Sequence, residues 1–447
     1  MTPHAILTQR VLHTWLGAQD GYLCQRNLEE IVVDNYVQVV TVFVEHHGQV
    51  FVIKRSEKVG SYQGQWGAIS GYVEQLPLAQ ALIELQEETN LSPDDVHLRG
   101  IGVPTLVNDL EQGRSWLVYP FLFETEFPER VTTNWEASES RWVTPEELQS
   151  LNTVPGLSLV LDKVWPPFGG HKFWNELNRI AVDTTHGALD LALDGLKALA
   201  EYTEQTDIHR AALAFASSRP SMGPFPNLAA RFLALVKSGY DYKEVIQALR
   251  AEIINSTNRS VELAAAKLRG MNRVLTHSKS RSVYETILTW AKDVKNPEVV
   301  VTESRPKNEG VVLAGNLAEK GLKVTLITDA QMAHFIPTCD AVLVGCDAIT
   351  PSAEIINKAG TRLAVLAAQA YGVPAFAVAQ SFKIVPGGWL VPIEEQNPDD
   401  VLNNKSFSVR NVIFDCTLAS DFTAVVTENG DLSLPLKTDL LKLDLEL

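Results

Sequence analysis

The apolar positions change rhythm twice along the chain. In the first third they alternate or run in short blocks, so that "YVQVVTVFVEHH", "QVFVIKR" and "WLVYPFLFET" read as strands. Between these runs, Leu78, Ala81, Leu82 and Leu85 recur at steps of three and four, which predicts a helix with one buried stripe that stops by Pro93. From 174 to 271 the pattern is helical nearly throughout, in "ALDLALDGLKALAEYTE", "NLAARFLALVKSG", "YKEVIQALRAEIINS" and "SVELAAAKLRGM". From 272 onward "RVLTHS", "EVVVTES", "KVTLITD", "AVLVGCD" and "PAFAVAQ" alternate with helical stretches, and crossovers of that length imply a parallel sheet. After "GCDAIT" the next helical run is expected near Ser352, with Asn357 and Lys358 inside its apolar pattern. The stretch "WPPFGGHKF", 165–173, stacks prolines and glycines between the first two textures and reads as a connection. The chain therefore divides into an α/β unit (1–165), a helical subdomain (174–271) and a doubly wound sheet domain (272–447). The pieces 1–165 and 174–447 each carry apolar periodicity for a core of their own.

The first helix carries a second pattern. Glu84, Glu87 and Glu88 share a face, because residues three and four apart are neighbours on a helix. Like charges so placed oppose one another by roughly 0.2–0.5 kcal/mol per pair. They also occupy the last turns, where the helix dipole favours cations. A bound divalent cation would offset both costs, and a fully wetted helix face would tolerate them.

Composition narrows the classes. With 447 residues, 45% hydrophobic and 21% charged, the chain has the balance of a soluble globular protein of two or three domains. A formal net charge of −16 argues against broad nucleic-acid or anionic-membrane binding and leaves room for a local basic pocket. Cys24, Cys339, Cys346 and Cys416 are scattered without CxxC or zinc-like spacing, which suits a reducing cytoplasm. The N-terminus lacks a basic region followed by an apolar core, and no run of about 18 apolar residues occurs, so neither a signal peptide nor a membrane span is expected.

In an open parallel sheet, ligands bind at the carboxyl ends of the strands. Those ends read "THSKS", "TESRP", "ITDA", "GCDAIT" and "AQSFK", each delivering hydroxyl, acid or base groups to one edge. Arg305 and Lys383 for charge, with Ser278, Ser280 and backbone N–H groups as donors, fit a phosphorylated small molecule. There is no GxGxxG dinucleotide fingerprint. Asp347 lies too far before the expected helix to cap it, and its neighbour Cys346 is expected to face the sheet's packing. His277 could hold a loop or touch ligand, and Arg219, ahead of Pro220, could be a latch between domains or a ligand group.

Two resemblances sharpen these readings. "GQVFVIKRSEKVGSYQGQWGAISGYVE", "IELQEETNL" and "NWEASESRWVTPEEL" resemble a Nudix hydrolase domain. That resemblance implies an α/β/α sandwich whose acidic helix holds Mg²⁺ or Mn²⁺ over a diphosphate. Glu84, Glu87 and Glu88 would be the metal-holding and catalytic glutamates, with Glu136 or Glu139 as an added ligand or base. The family's arginine is Ile83 here, its late glycine is Asn90, and its early glutamate falls on Gln75, beside Glu74. Gly71 lies closer to Glu84 than in the family pattern, so the loop between them is shortened.

The stretch 174–435 resembles the family that joins the α, β and δ subunits of eukaryotic initiation factor two B to ribose-1,5-bisphosphate and methylthioribose-1-phosphate isomerases. "SRPSMGPFPNL", "LTHSKSR", "VVVTESRPKNEG", "VTLITDAQMAHFI", "VLVGCDAITPSAEIINKAGT", "VAQSFKIVP" and "VIFDCTLASDF" carry it. It implies a Rossmann-like domain in which the isomerases' catalytic aspartate corresponds to Asp347 and their catalytic cysteine to Ser278. Arg219, Ser280, Arg305, Asn357, Lys358 and Lys383 match positions that hold the sugar phosphate or line its pocket, and the relatives suggest homodimers. A serine without a partner base cannot move a proton near neutrality as a thiol of pKa about 8.5 can. The expected function is a two-module metabolic enzyme acting on phosphorylated small molecules in the cytoplasm, with no nucleic-acid or membrane partner. A non-catalytic metabolite sensor and a translation-factor relative are the alternatives.

Overall fold

The computed structural model describes residues 36–436 apart from 111, 203–204 and 404–405. The reading of the N-terminal stretch, and Cys24 with it, lies outside these residues. Eight strands come first: β1 (Tyr36–His46), β2 (Gln49–Arg55), β3 (Trp66–Gly67), β4 (Ile69–Tyr72), β5 (Val96–Ile101), β6 (Thr105–Asp109), β7 (Arg114–Thr125) and β8 (Ala137–Val143). They form one mixed sheet of order β3-β2-β1-β7-β5, with β4 on β1, β6 on β7 and β8 on β2. Its spine is the parallel pair β1 and β7, in register from Tyr36 opposite Ser115 to Glu45 opposite Glu124.

Helix α1 (Pro77–Thr89) buries Leu78, Ala81 and Leu85 against one face of this sheet. It ends at Asn90, whose left-handed backbone (φ 60°) lets its N–H reach the Gln86 carbonyl at 2.9 Å. Helix α2 (Leu157–Asp162) covers the opposite face through Leu157, Val160 and Leu161, packed with Phe43, Val52 and Leu122. The unit is thus a sheet between helical layers, as the first resemblance implies.

Five helices follow: α3 (His171–Val182), α4 (Ala188–Glu201), α5 (Ile208–Ser218), α6 (Pro224–Lys237) and α7 (Tyr242–Lys267). Helix α7 is unbroken, so two segments expected as separate helices are one. The polar stretch "NSTNRS" between them holds no glycine or proline. Its hydroxyls bond within the helix, Thr257 Oγ1 to the Ile253 carbonyl at 2.7 Å and Ser260 Oγ to the Thr257 carbonyl at 2.9 Å.

The last unit is built on β9 (Arg273–Thr276), β10 (Glu298–Thr302), β11 (Lys323–Ile327), β12 (Ala341–Val344), β15 (Ala375–Val378) and β17 (Ala424–Thr427), all parallel, with β18 (Gly430–Asp431) antiparallel at the edge. Their order is β11-β10-β9-β12-β15-β17-β18, so the chain reverses direction across the sheet between β9 and β12. Helices α8 (Arg281–Ala291), α9 (Glu309–Glu319) and α10 (Thr361–Tyr371) cover it. A small antiparallel sheet of β13 (Ala348–Ile349), β14 (Glu354–Lys358) and β16 (Phe414–Leu418) sits at its carboxyl edge. Asn357 and Lys358 are therefore on a strand, which corrects the helix expected from near Ser352. "EIINK" pairs residue for residue with "FDCTL", and the helix starts only beyond Gly360, whose φ of 109° a side chain would not tolerate.

The units before and after the connection share an apolar core that runs from Tyr36 and Leu85 through Phe173, Trp174 and Leu177 to Trp389 and Ile413. Polar ties accompany it: Arg99 Nη2 donates to the Gly169 carbonyl of the connection at 3.1 Å, and across the boundary Gln38 Nε2 donates to the Ile393 carbonyl at 3.3 Å. We propose that the two parts are separate folding units joined by this interface. Fragments 1–165 and 174–447 are expected to unfold cooperatively on their own and to co-elute in gel filtration when mixed. Molten fragments would show instead that the shared core is indispensable to each. No helix among the described residues is long and apolar enough to cross a membrane.

Candidate functional site

Two cavities collect the candidate residues. The first, about 890 Å³, opens over α1. Within α1 the three glutamates differ sharply. Glu88 is 4% exposed and accepts from the Ser70 N–H at 3.0 Å. Burial pushes its pKa up to about 8, with the charges of Glu136 and Glu84 adding to the rise and Arg55 opposing it. Glu84 is half-buried, accepts from Gln80 Nε2 at 2.8 Å, and is also raised, chiefly by burial and then by Glu87, Glu136 and Glu74. Glu87 is exposed and lines the cleft.

Glycine at 71 is what admits Glu84. A Cβ there would stand 1.8 Å from Glu84 Oε1, so the carboxylate packs in the space that a side chain at 71 would fill. Among the described residues, no three Asp, Glu, His or Cys side chains converge closely enough to hold an ion in this arrangement. Glu84 and Glu88 nonetheless have the hard oxygen chemistry that Mg²⁺ and Mn²⁺ prefer, and burial is the main cause of the rise in both pKa values.

Sequence reasoning left this cleft without an arginine. Ile83, at the family's arginine position, is exposed on the cleft wall. Arg55 enters instead from the end of β2, near enough to act on Glu88, while its Nε donates to the Ser61 carbonyl at 3.0 Å. Its position at the end of the run "QVFVIKR" was the available signal. Lys58 and Arg114 add positive charge, and Tyr62, Trp116 and Trp135 add ring surface. Trp116 Nε1 donates to Tyr62 Oη at 3.0 Å, and Tyr62 donates to Asp109 at 2.6 Å, which fixes both rings. Glu136 and Glu74 line the cleft; Glu139 is outside it, paired with Lys54 and Arg141.

The second cavity, about 350 Å³, lies at the carboxyl edge of the parallel sheet where β9 and β12 part. Ser278, Ser280, Asp347, Asn357, Lys358, Lys383 and Arg219 all line it. Ser278 follows β9 in a left-handed conformation (φ 65°), its N–H donating to Ser304 Oγ at 2.8 Å. A non-glycine residue held there stores strain of a kind concentrated at functional sites. Ser280 caps α8 through the Val283 N–H. Lys383 donates to the Cys346 carbonyl at 2.6 Å, Lys358 pairs with Glu309 at 2.8 Å, and Asn357 donates to Thr361 Oγ1 at 2.8 Å. Asp347 has no side-chain hydrogen bond among the described residues; burial raises its pKa, partly offset by Lys383.

Arg305 is the exception. Its guanidinium turns away from the cavity and donates to the Val401 carbonyl at 3.1 Å. Arg219 is 2% exposed, with Nη2 donating to both oxygens of Glu394 at 3.0 and 3.1 Å and Nη1 to the Asp183 carbonyl at 2.6 Å. Its Nε, equally buried, has no acceptor. Nothing in the sequence ties Glu394 to Arg219, since 175 positions separate them. Cys346 is buried, donates to the Ala348 carbonyl at 3.3 Å, and has its thiol pushed up to about 12 by burial. It cannot supply a thiolate near neutrality. His277 Nε2 donates to the Ala359 carbonyl at 2.8 Å, so in the neutral ring Nδ1 accepts from Thr302 Oγ1 at 2.6 Å. Burial keeps that ring neutral, and both nitrogens are spent on loop geometry.

The comparisons with known proteins divide at the same connection. Residues 35–164 match the NUDIX domain, and residues 177–433, more than half of the chain, match the Initiation factor 2 subunit family. The chain belongs to the initiation factor 2 subunit family. It carries a NUDIX domain ahead of the family's own domain. A ribose 1,5-bisphosphate isomerase of Methanocaldococcus jannaschii is 34% identical over 226 residues, 48% of this chain and 73% of its own length. A putative translation initiation factor eIF-2B subunit 2-like protein of Pyrococcus abyssi is 30% identical over 271 residues, 57% of this chain and 94% of its length. Among solved structures, the translation initiation factor eIF-2B of Pyrococcus horikoshii OT3 is similar at 26% identity and a TM-score of 0.53, covering 60% of this chain and all of that one.

Proposed function

We propose that the protein is a two-module metabolic enzyme. Its first cleft hydrolyses a nucleoside-diphosphate-linked or sugar-linked diphosphate with the help of Mg²⁺ or Mn²⁺, and its second cavity binds a sugar phosphate. The observation that carries the first half is the raised carboxylate of Glu84, with buried Glu88 one turn further along the same helix, in a cleft with basic and aromatic walls. A divalent cation bound there would neutralise phosphate charge and lower the pKa of a bound water. Glu88 and Glu84 would hold it, with Glu87 as the third candidate ligand. Arg55, Lys58 and Arg114 would bind phosphate oxygens, and the rings at Tyr62, Trp116 and Trp135 would stack on a base or cover a sugar.

For the second cavity, likeness to isomerases supports binding of an aldose phosphate, with Lys383, Lys358 and Arg219 supplying charge and Ser278 and Ser280 supplying donors. Asp347, raised above the usual carboxylate range, is suited to carry a proton at the reacting carbons. Ser278 favours binding over turnover at this site, which keeps the sensor reading alive for the second module alone. Association through the sheet domain as a homodimer belongs to the same proposal; Val311, Val312 and Leu326 leave apolar surface exposed on its flank.

The test is a panel of nucleoside diphosphate sugars, dinucleotides and sugar phosphates offered to the purified protein with and without Mg²⁺. Metal-dependent release of a nucleoside monophosphate or sugar phosphate from at least one compound is expected. A ribose or methylthioribose phosphate should raise the melting temperature, because a ligand of the folded state stabilises it by mass action. No metal-dependent product from any compound would overturn the hydrolase reading, and no thermal shift from any sugar phosphate would overturn the second.

A further inference from the structure

One short segment contributes to the walls of both cavities. Gln396 lines the sheet-edge cavity, while its neighbours Asn397 and Pro398 line the cleft of the NUDIX domain. Just before them, Glu394 is the carboxylate that holds Arg219, and Ser221 Oγ also donates to it at 2.7 Å. The cleft over α1 is thus completed by a residue pair from the other domain, and that pair is three positions from a buried ion pair at the other cavity.

The segment is tied on both sides. The Ile413 N–H donates to the Glu394 carbonyl at 3.1 Å, the Gln396 N–H to the Asn411 carbonyl at 3.0 Å, and Asn411 Nδ2 to the Asn397 carbonyl at 2.9 Å. Residues 411–413 lead directly into β16, which pairs with Asn357 and Lys358 of the sheet-edge cavity. Toward the cleft, Gln38 of β1 donates to the Ile393 carbonyl and itself accepts from Tyr119 Oη at 2.6 Å. The outer turn is held by the loop after β10: Arg305 on the Val401 carbonyl and Lys307 on Asp400 at 3.3 Å. A continuous set of hydrogen bonds therefore runs from one cavity to the wall of the other.

We infer that residues 394–398 couple the two sites, so that an anion in the sheet-edge cavity changes ligand affinity in the NUDIX cleft. The inference rests on the reading of both cavities as sites for phosphorylated ligands. The energetic basis is competition at Arg219. A guanidinium is the natural partner of an incoming phosphate, and in Arg219 the Nε is unpaired while Glu394 holds Nη2 and the Asp183 carbonyl holds Nη1. A second anion there repels Glu394 and weakens its hold, and the backbone on which Asn397 and Pro398 ride must respond. A ligand shifts an equilibrium only by such differential contact.

Calorimetric titration of the intact chain with ADP in excess Mn²⁺, with and without saturating ribose 5-phosphate, measures the coupling directly. A change of about fivefold or more in ADP affinity is expected, with the same factor recovered when the ligands are exchanged. Binding of both probes with unchanged affinities overturns the coupling while leaving the reading of the sites intact. Failure of either probe to bind counts against that reading, and the coupling is then judged without ligand. Gln396→Trp and Gln396→Met place bulk in the sheet-edge cavity, and amide exchange is followed at Asp399, Asp400 and Val401, whose N–H groups bond to Asn397 and Pro398. Faster exchange in whichever variant folds supports the inference, and exchange at the native rate overturns it.

Discussion

Replacing Ser278 by cysteine is expected to create aldose–ketose isomerisation, or to raise it by about 10²–10⁴-fold over the natural protein, the range that a positioned acid–base group contributes. Ser278 and Asp347 come from the two strand ends that flank the reversal of the sheet, and both line the same cavity. Around them stand Lys383 and Lys358, each already aimed at a fixed acceptor, and Arg219 with a free donor. The binding groups therefore do not depend on residue 278. Cysteine is the same shape with a larger atom, and the left-handed backbone at this position costs a cysteine no more than a serine. What changes is the proton: a thiol of ordinary pKa about 8.5 titrates near neutrality and a hydroxyl does not. Cys346 offers no substitute, since its thiol is buried and pushed up to about 12. Ribose 1,5-bisphosphate and methylthioribose 1-phosphate are the compounds to assay, with ketose formation followed by chromatography. Adding Asp347→Asn to the cysteine variant should abolish the gain. Rapid isomerisation by the unaltered protein would show that another group moves the proton.

Local periodicity carried most of the architecture. The buried stripe of α1 is legible because Leu78, Ala81 and Leu85 obey a 3.6-residue period, and Asn90 could be read as its end because asparagine tolerates φ 60°. The parallel sheet was legible because each apolar run is too short for a helix and ends in polar residues. Where two periods compete, the reading failed. "EIINKAGTRLAVLAA" fits a helix throughout, and only pairing with β16, more than fifty residues later, makes its first part a strand. Partners distant in sequence were invisible for the same reason: nothing local distinguishes Glu394 from the adjacent Glu395, yet one holds Arg219 and the other Arg410. Arg305 shows the opposite limit. Its place after β10 puts it at the right edge of the sheet, but the turn there sends the guanidinium to Val401.

Glu88→Gln is expected to have opposite effects on the protein with and without metal. Without metal, Glu88 is buried beneath the cleft, and that burial lifts its pKa from 4.5 to about 8, with the charges of Glu136 and Glu84 adding to the rise and Arg55 opposing it. The folded state therefore keeps a proton that the unfolded chain has already lost between those values. Stability falls as pH rises through that window, because the unfolded state binds fewer protons there. Glutamine has nearly the same shape, can still accept from the Ser70 N–H, and does not titrate. In chelator, the variant should melt with the natural protein at pH 5 and several degrees above it at pH 8.5. With Mn²⁺ the order should invert. A cation that needs the ionised carboxylate must displace its proton, so Mn²⁺ affinity of the natural protein should climb by up to about tenfold per pH unit below pH 8. The variant should lose most of that affinity along with metal-dependent hydrolysis. Equal Mn²⁺ affinity in the two proteins, measured by calorimetry at pH 7.5, would remove Glu88 from the metal site. Parallel melting curves from pH 5 to 8.5 in chelator would show that its carboxyl is not held protonated.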